Sequence, residues 1–139
     1  MLVNQLAVFL ENKKGRLKDL SGVLAREKID LLTLSIADTE DFGIARFITT
    51  DNERAFKALR DAGFTVTETE LIGVEIGDVP GALSKVLKVL SDGDIGIEYL
   101  YSYSRTDGGN AIILFKVKEV GHALDLLSRA DVRVLDKSL

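Results

Sequence analysis

Displaced by 66 positions, the sequence falls on itself: Val8 meets Val74, Gly15 meets Gly81, Leu17 meets Leu83, Val23 meets Val89, Leu24 meets Leu90, Ile29 meets Ile95 and Leu34 meets Leu100. Beyond about position 43 the displacement becomes 68, pairing Phe47 with Phe115, Ala55 with Ala123, Leu59 with Leu127, Ala62 with Ala130 and Val66 with Val134. The chain is a duplication, so whatever one half folds into, the other must be able to fold into as well. The two extra residues of the second copy fall between about 103 and 111, where Thr106-Asp107-Gly108-Gly109-Asn110 has the composition of a hairpin turn, which places the insertion in a loop. Each copy is about half of 139 residues. Units of that size bury only roughly 60% of the surface their unfolded chains expose, so mutual support between the copies is expected.

Each copy reads as the same series of elements. Leu6, Val8 and Leu10, and then Ile72, Val74 and Ile76, alternate as strand residues facing a core. Leu17, Leu20 and Leu24, matched by Leu83, Val86 and Leu90, recur at three and four residues as the apolar stripe of a helix. Two β-rich stretches follow, roughly 30–37 and 43–50 in the first copy, 95–104 and 110–118 in the second, and read as a hairpin. Phe56, Leu59 and Ala62, and Leu124, Leu127 and Ala130, signal a second helix before a closing strand at Val66 or Val134. The order βαββαβ, twice, predicts an α+β fold of two tandem ferredoxin-like units, residues 1–69 and 70–139, each a four-stranded antiparallel sheet with two helices, packed side by side. The join, Glu68-Thr69-Glu70, holds neither Gly nor Pro and is too short for a flexible linker, so a fixed relation between the units is expected. Function does not follow from this fold, which hosts many unrelated activities.

Composition narrows the function classes. With 46% apolar residues a packed core is within reach; with a formal net charge of −4 and no block of five like charges, nucleic acid is not an expected partner. Cysteine is absent, which removes disulfides, thiolate catalysis and sulfur-ligated metals together. The apolar start, Met1 to Leu10, is short and lacks a basic leader, and no run approaches the length needed to cross a bilayer. A soluble, unprocessed, cytoplasmic protein without membrane contact is the expectation. His122, the single histidine, has no companion ligand at metal spacing and reads as a solvated residue in the first turn of a surface helix. Asp38-Thr39-Glu40-Asp41 reads as a hydrated hairpin tip, not a calcium loop. No cofactor and no metal are expected, and no nucleophile elbow, phosphate loop or dinucleotide fingerprint appears.

The most informative segment is the turn from first strand to first helix: Glu11-Asn12-Lys13-Lys14-Gly15-Arg16-Leu17 in one copy, Gly77-Asp78-Val79-Pro80-Gly81-Ala82-Leu83 in the other. A Gly there lets backbone approach a ligand closely, and the free N–H groups of a helix's first turn favour a carboxylate. Asn12 and Asp78 are placed to receive an ammonium group, so both ends of a zwitterion find partners. The structural alternative is that Asn12 and Asp78 are helix N-caps and that Pro80 occupies an early helical position.

These two turns, each after an apolar strand and before an amphipathic helix that leads to Ile29-Asp30-Leu31 or Ile95-Gly96-Ile97, resemble the opening motif of ACT domains. The resemblance covers both copies and is closest to stand-alone tandem ACT proteins. It implies an amino-acid-sensing regulatory module, with the ligand between two ACT units, the Gly turn of one facing the second strand of the other. It nominates Asn12, Gly15, Arg16 and Leu17, then Asp78, Gly81, Ala82 and Leu83; Lys14 stands where the family motif usually has Pro, and Pro80 keeps it.

Tyr99, Tyr101 and Tyr103, the only tyrosines, alternate along the second strand of copy two, where copy one has Thr33, Ser35 and Ala37. They read either as an aromatic wall over an apolar ligand side chain or as cross-strand packing and a subunit contact, which leaves a homodimer open. Ser102 lies within this stretch, and Asn110 at the adjoining turn either donates to a ligand or satisfies the turn. The candidate ligand-binding set is completed by Lys14, Ser35 and Pro80. Two pseudo-symmetric pockets are expected, 12–17 facing 99–103 and 78–83 facing 33–37.

Four functions compete. A sensor of a free amino acid that regulates a metabolic enzyme, with no catalysis, is the leading one. A protein–protein interaction module without a small-molecule ligand is its rival. An acylphosphatase-like enzyme would use Arg16 on phosphate, but Ala82 stands at the matching position. An RNA binder would need exposed aromatics with basic flanks, whereas Phe9, Phe47 and Phe115 read as core.

Overall fold

Strand alternation and helical stripes, twice over, become eleven elements in the structure, a computed structural model that describes residues 2–11, 13–38, 42–104 and 110–135. They are β1 (Leu2–Glu11), α1 (Arg16–Arg26), β2 (Leu31–Asp38), β3 (Phe42–Thr49), α2 (Asn52–Asp61), β4 (Val66–Gly77), α3 (Ala82–Asp92), β5 (Ile97–Ser104), β6 (Asn110–Val117), α4 (Val120–Arg129) and β7 (Arg133–Val134). The chain divides into two compact units, one spanning Asn4–Thr69 and the other running from Glu70 onward with Leu2 and Val3. Glu68-Thr69-Glu70 is neither turn nor linker: it lies inside the 12-residue strand β4.

In the first unit β3 is the central strand, antiparallel to β1 (Leu6 opposite Phe47) and to β2 (Leu34 opposite Phe47). Phe9 N–H donates to Thr65 O at 3.2 Å, which lays the chain leaving α2 along the other side of β1. In the second unit β6 pairs with β4 (Ile72 opposite Phe115) and with β5 (Leu100 opposite Phe115), while β7 pairs with β4 (Val74 opposite Val134). Both units are therefore α+β and ferredoxin-like: one antiparallel sheet, two helices on one face. Each core collects alternate strand residues and one helix stripe. Leu6, Val8, Leu10 and Phe47 meet Leu20, Leu24, Ala55 and Leu59 in one unit; Ile72, Val74 and Phe115 meet Val86, Leu90, Ala123 and Leu127 in the other.

Several expectations are corrected. Leu17 belongs to no core stripe: it is 39% exposed, and Leu20, Val23 and Leu24 form the buried face of α1. The buried faces of α2 and α4 carry Ala55 and Leu59, and Ala123 and Leu127, one step round from the expected stripe; Ala62 and Ala130 are C-caps beyond the helix ends. Phe47 and Phe115 are buried, but Phe9 is 47% exposed because it follows Val8 on the opposite face of β1. His122 is exposed in the first turn of α4, with Nδ1 3.6 Å from Glu119. Thr39, Glu40, Asp41 and the expected turn at 106–109 lie outside the described residues. Among the described residues no helix is long and apolar enough to cross a membrane and no group of metal-ligating side chains gathers.

Candidate functional site

The two strand-to-helix turns are built alike although only Gly and the Leu two residues after it are common to them. Gly15 is the N-cap of α1 at φ 91°, ψ −5°, and Gly81 is the N-cap of α3 at φ 88°, ψ −9°, both left-handed and exposed. The next amide is taken by the turn: Arg16 N–H donates to Lys13 O, and Ala82 N–H to Val79 O, each at 3.3 Å. The capping carbonyls accept the first helical bonds, from Asp19 N–H at 2.9 Å and Lys85 N–H at 3.1 Å. Between them, the amides of Leu17 and Lys18, and of Leu83 and Ser84, have no acceptor within their helix. Paired outward amides at the positive end of a helix dipole favour a carboxylate. Nothing lies within 4 Å of where a Cβ on either Gly would stand, so the approach to these amides is open.

This geometry decides the local alternatives. Asp78 is not an N-cap: the left-handed Gly81 occupies that position, with no side-chain capping bond, and Asp78 is exposed three residues earlier. Pro80 precedes the cap and so lies outside the helix. Lys14, standing at the place of Pro80, leaves the backbone of its turn the same. Asn12 lies outside the described residues. Glu11 pairs with Lys13 (Oε2 to Nζ, 3.0 Å), and that hydrogen bond, then the charges of Lys13 and Arg16, hold its carboxyl below the usual carboxylate range.

Tyr99, Tyr101 and Tyr103 face Lys116, Leu114 and Ile112 across the β5–β6 ladder, on the sheet surface away from the helices, and all three are half-buried. Ser102 faces Ile113, a residue of the helix-side core, and so stands on the other surface from the tyrosines. Ser35 faces Arg46 on the first unit's sheet surface away from the helices and is half-buried. Asn110 opens β6 and donates from Nδ2 to Glu75 Oε1 at 3.3 Å; Glu75 Oε2 lies 3.0 Å from Arg133 Nε. At the corresponding places in the first unit stand Phe9 and Phe42, whose rings meet at 5.3 Å. A diagonal aromatic pair in one copy is a polar pair in the other, a difference visible once the copies are aligned.

Arg16 is drawn elsewhere. Its guanidinium lies 4.3 Å above the Phe64 ring, its Nη1 is 3.5 Å from Asp19 Oδ2, and its Nε is buried without a hydrogen-bond partner. Together with Lys18, Gly22 and Arg26 these residues line a cleft of about 340 Å³ on the helix side of the first unit. Phe64, Gly22 and Arg26 carried no motif. Helical spacing could have grouped Gly22 and Arg26 with Arg16 and Asp19, but nothing in the sequence ties Phe64 to them.

The sequence profile of the ACT domain pair family matches residues 1–138. No curated protein matches the chain. A crystal structure of a protein from Bacteroides thetaiotaomicron is 41% identical and superposes with a TM-score of 0.90, covering 97% of this chain and 92% of that one. The ligand-free regulatory subunit of aspartate kinase from Thermus thermophilus is 16% identical, with a TM-score of 0.65 and 93% of each chain covered. The corresponding subunit from Thermus flavus is 16% identical, with a TM-score of 0.60 and 94% of each chain covered. The first is similar in sequence and fold, the other two in fold. With nearly the whole chain matched and the duplicated unit seen in both halves, this protein belongs to the family of ACT domain pairs.

Proposed function

We propose that the protein is a regulatory sensor that binds a free amino acid at its glycine turns and carries out no chemistry itself. One observation carries this reading: two turns with different sequences hold the same left-handed Gly cap and the same pair of outward amides, a carboxylate receptor made twice. Asp78 in the second turn, and Asn12 in the first, supply the chemistry for the ammonium end. We assign Tyr99, Tyr101 and Tyr103, and Ser35 with its neighbours, to the side chain of the ligand. The output is regulation of a metabolic enzyme, in keeping with the fold neighbours whose names are regulatory subunits of aspartate kinase. The second reading, a protein-interaction module, is favoured by apolar side chains left exposed on the first unit: Phe9, Leu34, Ile36 and Phe42.

Calorimetric titration with each proteinogenic amino acid separates the two. We expect saturable binding of one or a few; Gly15→Val should abolish it at the first turn and Gly81→Val at the second, with circular dichroism reporting the fold of each variant. If none binds, the interaction module is the function. If a folded Gly15→Val binds as tightly as the parent, the first turn is not a site.

A further inference from the structure

The cleft of the first unit is cationic in a way its counterpart is not. Arg16, Lys18 and Arg26 line it against one carboxylate, Asp19. Asp19 meets only Arg16, at the long distance of 3.5 Å, and neither Lys18 nor Arg26 has an ion pair among the described residues. Arg26 is exposed, but its side chain folds back along α1: its Nη1 lies 4.0 Å from where a Cβ on Gly22 would stand, beside the space that Gly leaves. Arg16 and Lys18 sit in the first turn, where the helix dipole already adds positive potential, an unfavourable arrangement for the free protein that an anion relieves. Arg16 is also preorganised by its stacking on Phe64.

The second copy acts as an internal control. In place of Arg16, Lys18, Gly22, Arg26 and Phe64 it has Ala82, Ser84, Lys88, Asp92 and Val132, and Lys88 pairs with Asp92 across one helical turn, closing the face on itself. The fold therefore does not require the cluster. We propose that this cleft is an oxyanion site that binds a phosphate group, free or carried on a small metabolite, independently of the amino-acid reading. Two guanidinium groups and an ammonium suit a dianion with several acceptor oxygens better than a single carboxylate. The volume of about 340 Å³ is at the lower end of small-molecule sites, large enough for a phosphomonoester.

The test is an amide NMR titration of the intact chain with inorganic phosphate, glycerol 3-phosphate and acetate at constant ionic strength. The expected result is a saturable shift of the Gly22, Arg26 and Phe64 amides with phosphate and not with acetate. Tighter binding of glycerol 3-phosphate assigns the site to a phosphomonoester; equal or weaker binding assigns it to free phosphate. Arg26→Gln, at the opposite end of α1 from the Gly15 turn, should weaken binding at least about tenfold, the loss of one charged hydrogen-bonding partner, while leaving amino-acid titrations unchanged. Gly22→Leu, which fills the cleft while favouring the helix, should abolish it. No saturable shift at millimolar phosphate or ester, equal shifts with acetate, or undiminished binding by folded Arg26→Gln overturns the proposal.

Discussion

Within α1 and its cap, two glycines seven residues apart do opposite things. Gly15 sits at φ 91°, a conformation that costs an L-residue about 1–2 kcal/mol whatever space surrounds it. Gly22 is an ordinary helix-interior residue whose added Cβ would meet nothing closer than 4.0 Å. We therefore expect Gly15→Ala to destabilise the protein by about 1–2 kcal/mol and Gly22→Ala to stabilise it by about 0.5–1 kcal/mol. Urea unfolding of the two variants measures both signs, and a shared sign would contradict the geometry. Gly81→Ala should match Gly15→Ala, since φ and ψ agree within a few degrees. The duplicated Gly was legible in the sequence because the repeat displays it twice. The setting of Arg16 was not, because Phe64 arrives from the far end of the unit and no periodicity links them. Phe9 was legible but misread: alternation through Leu6, Val8 and Leu10 already sends it to the other face.

The same comparison of copies explains how the helices end. After α2 the chain turns through Gly63 at φ 94°, with Gly63 N–H donating to Arg60 O and Phe64 N–H to Leu59 O, both at 3.0 Å. This is the Schellman pattern, in which a left-handed residue closes the helix and an apolar one folds back. The other three helices end in the same way, but with Lys28, Asp94 and Asp131 in the left-handed place at φ 57°, 60° and 61°. Those residues carry steric strain that Gly63 avoids. Asp131→Gly should therefore raise stability, by roughly 0.5–1 kcal/mol after the extra freedom of Gly in the unfolded chain is counted, and Gly63→Asp should lower it by a similar amount. Thermal unfolding of the pair tests the assignment, which fails if Asp131→Gly melts lower than the parent. Element order was readable from strand and helix periods. Helix ends were not, because three of the four closing residues are not glycine. Ala130 reads as helix because Asp131 gives no glycine stop, whereas Gly63 does mark the end at Ala62 and the apolar spacing from Leu59 simply runs past it.

At the scale of the whole molecule, tandem duplication was the most legible property and the ligand's surroundings the least. Repeated Val, Leu and Gly positions are visible in one dimension, whereas the faces taken by Tyr101 and Ser102 depend on their partners Leu114 and Ile113 in β6. Binding, however, is felt by the molecule as one thermodynamic quantity. A ligand held only by the native chain adds RT ln(1 + [L]/Kd), about 2.7 kcal/mol at a hundredfold excess over Kd. For a chain of 139 residues that moves the melting temperature upward by roughly 10 °C. A screen of the proteinogenic amino acids by thermal unfolding should therefore find at least one that produces such a shift, growing with the logarithm of concentration above Kd. Gly15→Ala and Gly81→Ala separate the turns: each lowers the starting temperature through its backbone cost, but only the variant at an occupied turn also shrinks the ligand-induced rise. A rise left intact in both variants would move the ligand away from the glycine turns. No rise with any amino acid would leave an interaction module as the function, with the exposed Phe9 and Phe42 on one face of the first unit's sheet and Leu34 and Ile36 on the other as its candidate contacts.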